Sequence, residues 1–184
     1  MNKNEEFDNA TKEEQLLEAK RQEQHITPLL NSLGVSWKYF AKHTSPQVKG
    51  KVDGVILLDR EKPIYFENKC LRKDWPNAYF EMWIERENWK EQGWATRNFN
   101  PIISKHPIYL INAYESFVKI YDLKETKKWI NSLTLEQFKA LGGFQVKTWD
   151  SKFKGWVYGW NAPFAIVEKF EIKDFGKVVR SGRM

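Results

Sequence analysis

Two short apolar runs constrain this chain more than any other feature. Residues 52–58 read Val-Asp-Gly-Val-Ile-Leu-Leu and residues 64–69 read Ile-Tyr-Phe-Glu-Asn-Lys, with only Asp59-Arg60-Glu61-Lys62-Pro63 between them. β-Branched and aromatic residues favour strands, and a polar segment ending in proline reads as a turn. Runs joined this closely pair as a hairpin. Side chains alternate along a strand, so Glu67 and Lys69 point to one face while Ile64, Phe66 and Asn68 take the other. Pairing then sets Asp53 beside Glu67 at the end of the sheet, with the Lys69 ammonium close by.

Two crowded carboxylates suit a hard divalent cation. Mg2+ takes one or two carboxylates, keeps several waters and accepts substrate phosphate. A lysine beside it can orient or deprotonate the attacking water, or stabilise charge developing on phosphate. The spacing is short, however, and an ordinary hairpin with surface charges fits the same residues.

The wider pattern narrows the choice. Asp-x13-Glu-x-Lys, formed by Asp53, Glu67 and Lys69, resembles the signature of the PD-(D/E)XK nuclease superfamily, with Val52 where its proline would stand. Upstream, Gln47-Val48-Lys49-Gly50-Lys51-Val52-Asp53 resembles the Gln-x-x-Gly-x-Asp entry of phage and bacterial members. Downstream, Glu67-Asn68-Lys69-Cys70-Leu71-Arg72 is similar to their Glu-x-Lys-x-x-Arg continuation. Asp74-Trp75, an apolar segment around Glu81, and Gly93-Trp94 follow, so the likeness runs over residues 44–135. It implies an α/β fold with a restriction-endonuclease-like core, a mixed β-sheet flanked by helices. It also implies metal-dependent hydrolysis of phosphodiester bonds in DNA, with Mg2+ (or Mn2+) on Asp53, Glu67 and the Asn68 carbonyl, and Lys69 orienting water. Restriction or homing-type and junction-resolving endonucleases fit this pattern, as does an exonuclease. A non-catalytic nucleic-acid-binding protein is the alternative from another class. A two-strand cut needs two sites, which favours a homodimer.

Charge is consistent with a polyphosphate partner. The 184 residues carry a net +6 and a pI near 9.2. Acids crowd the start, with Glu5, Glu6, Asp8, Glu13, Glu14 and Glu18 against Lys3 and Lys12, so the body is more basic than the total suggests. Lys49, Lys51, Arg72, Lys147, Lys152 and Lys154 are the candidate phosphate contacts, with Gln47 in the loop at the mouth of the site. Trp149, Phe153, Trp156, Tyr158 and Trp160 interleave with the last three lysines, as on a base-stacking platform or on one packed face of a sheet.

One cysteine, Cys70, excludes a disulfide framework and a cysteine-based zinc site, and His25, His43 and His106 lack ligand spacing. With no membrane-length apolar run and no cleavable signal, a cytoplasmic location is expected. Residues 1–10 read as a disordered tail and 11–184 as a single domain.

The periodicity predicts a first helix from Thr11 to Leu33, with a capping box at Thr11 and Glu14 and with Pro28 kinking or dividing it. Its apolar stripe, Leu16, Ala19, Ile26, Leu30 and Leu33, includes Glu23. A carboxylate there is costly unless paired or metal-bound, and the superfamily often supplies a glutamate from its first helix. Glu23 at the stripe's edge would instead reach solvent, leaving Glu14 and Glu18 as substitutes. Ser36 to Ala41 should form a strand. Ala78 to Glu85 alternates as a strand that aims Glu81 toward the metal or into a surface ion pair. Glu87 to Pro101 reads as a long loop. A hairpin (Ile108 to Ala113, Phe117 to Asp122), helices from Lys124 to Ser132 and from Leu135 to Leu141, and strands at Phe144 to Thr148, Trp156 to Trp160 and Phe164 to Ile172 complete the reading.

Overall fold

Alternating apolar residues build two sheets. The computed structural model describes residues 13, 16–40, 52–58, 62–71, 73–86, 89–150 and 155–181. The tail and the capping box at Thr11 and Glu14 lie outside these residues. The chain divides into two compact units, one of residues 21–74, 98–126 and 169–184, the other of residues 1–20, 75–97 and 127–168.

The first unit holds a mixed five-stranded sheet. Its strands are β1 (Ser36–Tyr39), β2 (Gly54–Leu57), β3 (Pro63–Cys70), β6 (Ile108–Ala113) and β7 (Val118–Asp122), in the order β1-β2-β3-β6-β7. β3 and β6 run parallel, and the other pairs are antiparallel. The protein is therefore α/β, with a mixed sheet flanked by helices. Ile56, Ile64, Phe66, Ile111 and Ile120 share a core with Ile26, Leu30 and Leu33 from the first helical segment and with Phe175 and Val179 from the helix Phe175–Ser181. Ile64 and Phe66 of β3 alternate into this core while β6 is buried throughout, and a one-residue slip would turn both β3 side chains out of it, which fixes the register.

The first helix departs from its expected stripe. Residues 16–21 are helical, Gln22–Ile26 is a π-turn, and α1 (Thr27–Ser32) follows. The Thr27 N–H donates to the Gln22 carbonyl, one residue further back than in an α-helix. Pro28 lacks an N–H, which is tolerated in the first turn of α1. The extra residue rotates the upstream segment by about 100°. Arg21, five before Ile26, takes the buried position at 3% exposure, while Leu16, Ala19 and Glu23 face solvent. The Arg21 guanidinium donates to the Leu71 carbonyl past the end of β3 (3.3 Å).

The second unit holds an antiparallel sheet, β5-β4-β9-β8, formed by β4 (Asn77–Arg86), β5 (Trp89–Gln92), β8 (Phe144–Asp150) and β9 (Gly155–Pro163). β4 is a strand, as its alternation requires, with a register shift between Glu81 and Trp83. β5 replaces the expected loop; its sequence Trp-Lys-Glu-Gln carries no apolar alternation, and its backbone pairing to β4 supplies the order. Gly93 ends it against the Glu81 backbone, where a Cβ would also stand 2.9 Å from Glu81 Cγ. α2 (Leu123–Asn131) pins the following turn, its Lys127 and Asn131 side chains donating to the carbonyls of Trp94 and Ala95. α3 (Leu135–Ala140) starts at a Thr134–Gln137 capping box and sets Phe138 flat on Trp160, with ring centroids 4.5 Å apart.

The expected strand from Phe164 to Ile172 is helical instead, as α4 (Phe164–Val167) and a 3-10 turn, Glu168–Phe170. Pro163 fixes φ at −49° just before it, and the Phe164 N–H donates to the Pro76 carbonyl, so the chain leaves β9 already turned. α5 (Phe175–Ser181) returns to the first unit. Among the described residues no helix is long and apolar enough to cross a membrane.

Candidate catalytic site on the mixed sheet

The register of the β2–β3 hairpin decides what meets what. Gly54 pairs with Phe66, so one step further along Asp53 stands opposite Glu67. The Asp53 backbone is held on both sides: its N–H donates to the Phe66 carbonyl (2.9 Å) and its carbonyl accepts from Phe40 N–H (2.8 Å). Asp53 Oδ2 accepts from the Asn68 N–H at 2.8 Å, which ties the carboxylate to the residue between Glu67 and Lys69. The glycine after Asp53 is required by close approach. A Cβ at position 54 would overlap the Phe66 ring and stand 2.7 Å from the Lys38 carbonyl oxygen.

Glu67 is buried at 4% exposure, and the Lys69 Nζ lies 3.6 Å from its Oε1. Burying a carboxylate is costly unless a cation or donors compensate, and here an ammonium does so in part. Asp53 remains partly exposed, so the cluster is reachable from solvent on that side. Asp53 thus faces Glu67 across the hairpin, and Lys69 approaches Glu67 from the same strand.

The remaining candidates are more scattered. Asn68 is buried, and its amide serves Asp53. Glu23 is exposed in the π-turn and not on a buried helix face. Glu81 belongs to β4, in the other unit's sheet. Gln47, Lys49, Lys51, Arg72, Lys152 and Lys154 lie outside the described residues. Lys147 is exposed on β8, its Nζ 4.4 Å from the Trp156 ring centroid. Among the described residues no group of three or more His, Cys, Asp or Glu is arranged to hold a metal ion. Two carboxylates are the kind of donor set that Mg2+ accepts, with water in its other positions.

A polar row that no motif announces lies beside Lys69. Lys69 pairs with Asn112 on β6, and Asn112 with Lys119 on β7. Asn112 is fully buried, and the Lys119 Nζ donates to both Glu171 carboxylate oxygens at 2.8 and 2.7 Å. Burial, with Glu171 nearby, holds the Tyr114 and Tyr121 phenols far above their usual pKa, so both stay protonated. Asn112 left a trace, as one amide inside the apolar run Ile-Tyr-Leu-Ile-Asn-Ala. Glu171 left none, since only the tertiary fold brings it to Lys119.

No family model, curated protein or solved structure matches this chain.

Proposed function

We propose that this protein is a metal-dependent nuclease of the restriction-endonuclease-like kind, hydrolysing phosphodiester bonds in DNA. The observation that supports it is the approach of Asp53, the buried Glu67 and Lys69 where β2 begins beside β3 in a mixed sheet. Asp53 and Glu67, with the Asn68 carbonyl, would hold Mg2+ (or Mn2+). When bound, the cation supplies Lewis acidity toward the phosphate and a lower pKa for attacking water. Lys69 holds that water in line and stabilises negative charge gathering on a phosphate oxygen. The Asn68 amide fixes the Asp53 carboxylate, and the burial of Glu67 keeps bulk water from one side of the site. An endonuclease acting as a cytoplasmic homodimer fits a cut through both strands.

Incubation with supercoiled, linear and branched DNA, with and without Mg2+, tests the reading. Asp53→Ala or Glu67→Ala should slow cleavage by about a hundredfold or more, the order of a lost metal-activated step. Lys69→Ala should lose most cleavage while binding DNA normally, because its role is confined to the transition state. Near-normal cleavage by either carboxylate variant would sink the assignment. DNA binding without cleavage under every metal condition would leave the non-catalytic binding protein.

A further inference from the structure

The antiparallel sheet of the second unit carries an unusual face. Across its four strands, Lys90 pairs with Glu85, Glu85 with Trp156 and Trp156 with Trp149; one row on, Trp83 pairs with Tyr158 and Tyr158 with Lys147. Side chains opposite one another share a face, and the contacts agree. Trp83 stacks on Tyr158 (centroids 5.0 Å apart), and Trp149 meets Trp156 edge-on at 5.2 Å. Lys90 sits 4.3 Å over Trp83, while Lys147 sits 4.4 Å over Trp156 and 5.1 Å over Tyr158. Two residues along β9, Trp160 is buried against Phe138. The same row of rings therefore begins as core and ends in solvent, with Trp149 at 50% and Trp156 at 39% exposure. Neighbouring exposed indoles of this kind mark a binding surface.

From this we infer that the open end of the face binds an unpaired nucleotide strand, its bases stacking on Trp149 and Trp156 and its phosphates paired with Lys90 and Lys147. The charge fits: the β8–β9 hairpin holds Lys147, Lys152 and Lys154 against Asp150 alone. Among the described residues of the face the one acid is Glu85, which already accepts from the Tyr158 hydroxyl at 2.5 Å. The lysines cover the rings, but an exposed cation–π contact is weaker than base stacking, so a strand displaces them toward its phosphates. Duplex bases are stacked on each other and offer no free ring. A second copy of this chain would bring lysine against lysine.

The inference rests on the nuclease reading only in making the strand a substrate, and binding is measured apart from cleavage. Labelled oligothymidylate, oligouridylate and a duplex of equal length are titrated with the full chain in EDTA, with anisotropy as readout. The single strands should bind more tightly than the duplex. Trp149→Ala and Trp156→Ala should each weaken that binding about tenfold. Trp156→Phe, which keeps an aromatic face, should recover most of the loss, and circular dichroism should be unchanged throughout. Equal affinity for the duplex, or undiminished binding by the double alanine variant, would overturn the inference. Strand binding that needs both indoles in a protein that never cleaves would uphold it while removing the nuclease reading.

Discussion

Single residues carry the strictest demands of this fold. Gly54 is one, because Asp53 must leave the sheet where β1, β2 and Phe66 close together. Gly54→Ala forces a methyl group into the Phe66 ring, and overpacking of this kind costs about 1–3 kcal/mol. Urea unfolding should show that loss, and the displaced Asp53 should lower cleavage as well. A second demand is electrostatic. Ser116 donates to Asp74 twice, from its hydroxyl at 2.5 Å and from its N–H at 2.9 Å. Those bonds, the hydroxyl's foremost, hold the Asp74 carboxyl below its usual pKa. A pKa depressed on folding contributes stability above the ordinary carboxylate range, and that stability is lost as pH falls through the lowered value. Ser116→Ala should raise the Asp74 pKa toward normal, measurable by carboxyl NMR titration. An unshifted titration would mean that the backbone amide alone suffices.

Among the elements, α3 shows how a local rule fixes a helix start. Thr134 accepts from Gln137 N–H, and the Gln137 side chain accepts in turn from Thr134 N–H (2.8 Å). Thr134→Ala removes one half of that exchange and should cost about 1 kcal/mol in thermal or urea unfolding. The start of α3 at Leu135 and the β2–β3 hairpin were both legible, because each is written in residues a few positions apart. The placement of Asp53 across from Glu67 follows from that hairpin's register. Three elements were hidden. The π-turn inserts a residue whose only outward sign is Pro28, so a strict 3.6-residue period put Glu23 on the wrong side. β5 has no apolar face and is ordered by its partner. Phe164 to Ile172 has strand-like composition, yet Pro163 turns it into a helix. The polar row through Asn112 to Glu171 was hidden by distance along the chain.

For the whole molecule the connectivity matters most. The chain leaves the mixed sheet after β3, forms β4 and β5, returns for β6 and β7, leaves again for β8 and β9, and returns with α5. Neither unit is continuous in sequence. Phe175 and Val179 share a core with Ile26 and Leu30, so ending the chain at Lys173 should strip two apolar residues from that core. Buried large-to-small changes typically cost about 2–5 kcal/mol each, and losing both should abolish a cooperative unfolding transition. A sharp transition in the shortened chain would mean that α5 is dispensable. The same connectivity sets a timetable during synthesis. A ribosome delivers Ile26 early and Val179 late, so the helix that packs against the mixed sheet waits for its last neighbours until translation has passed both units. β3 likewise waits for β6 while its apolar face stands open. Such distant partnerships slow folding and prolong exposure of unpaired strand edges, the stage at which a chain of this connectivity is most open to aggregation.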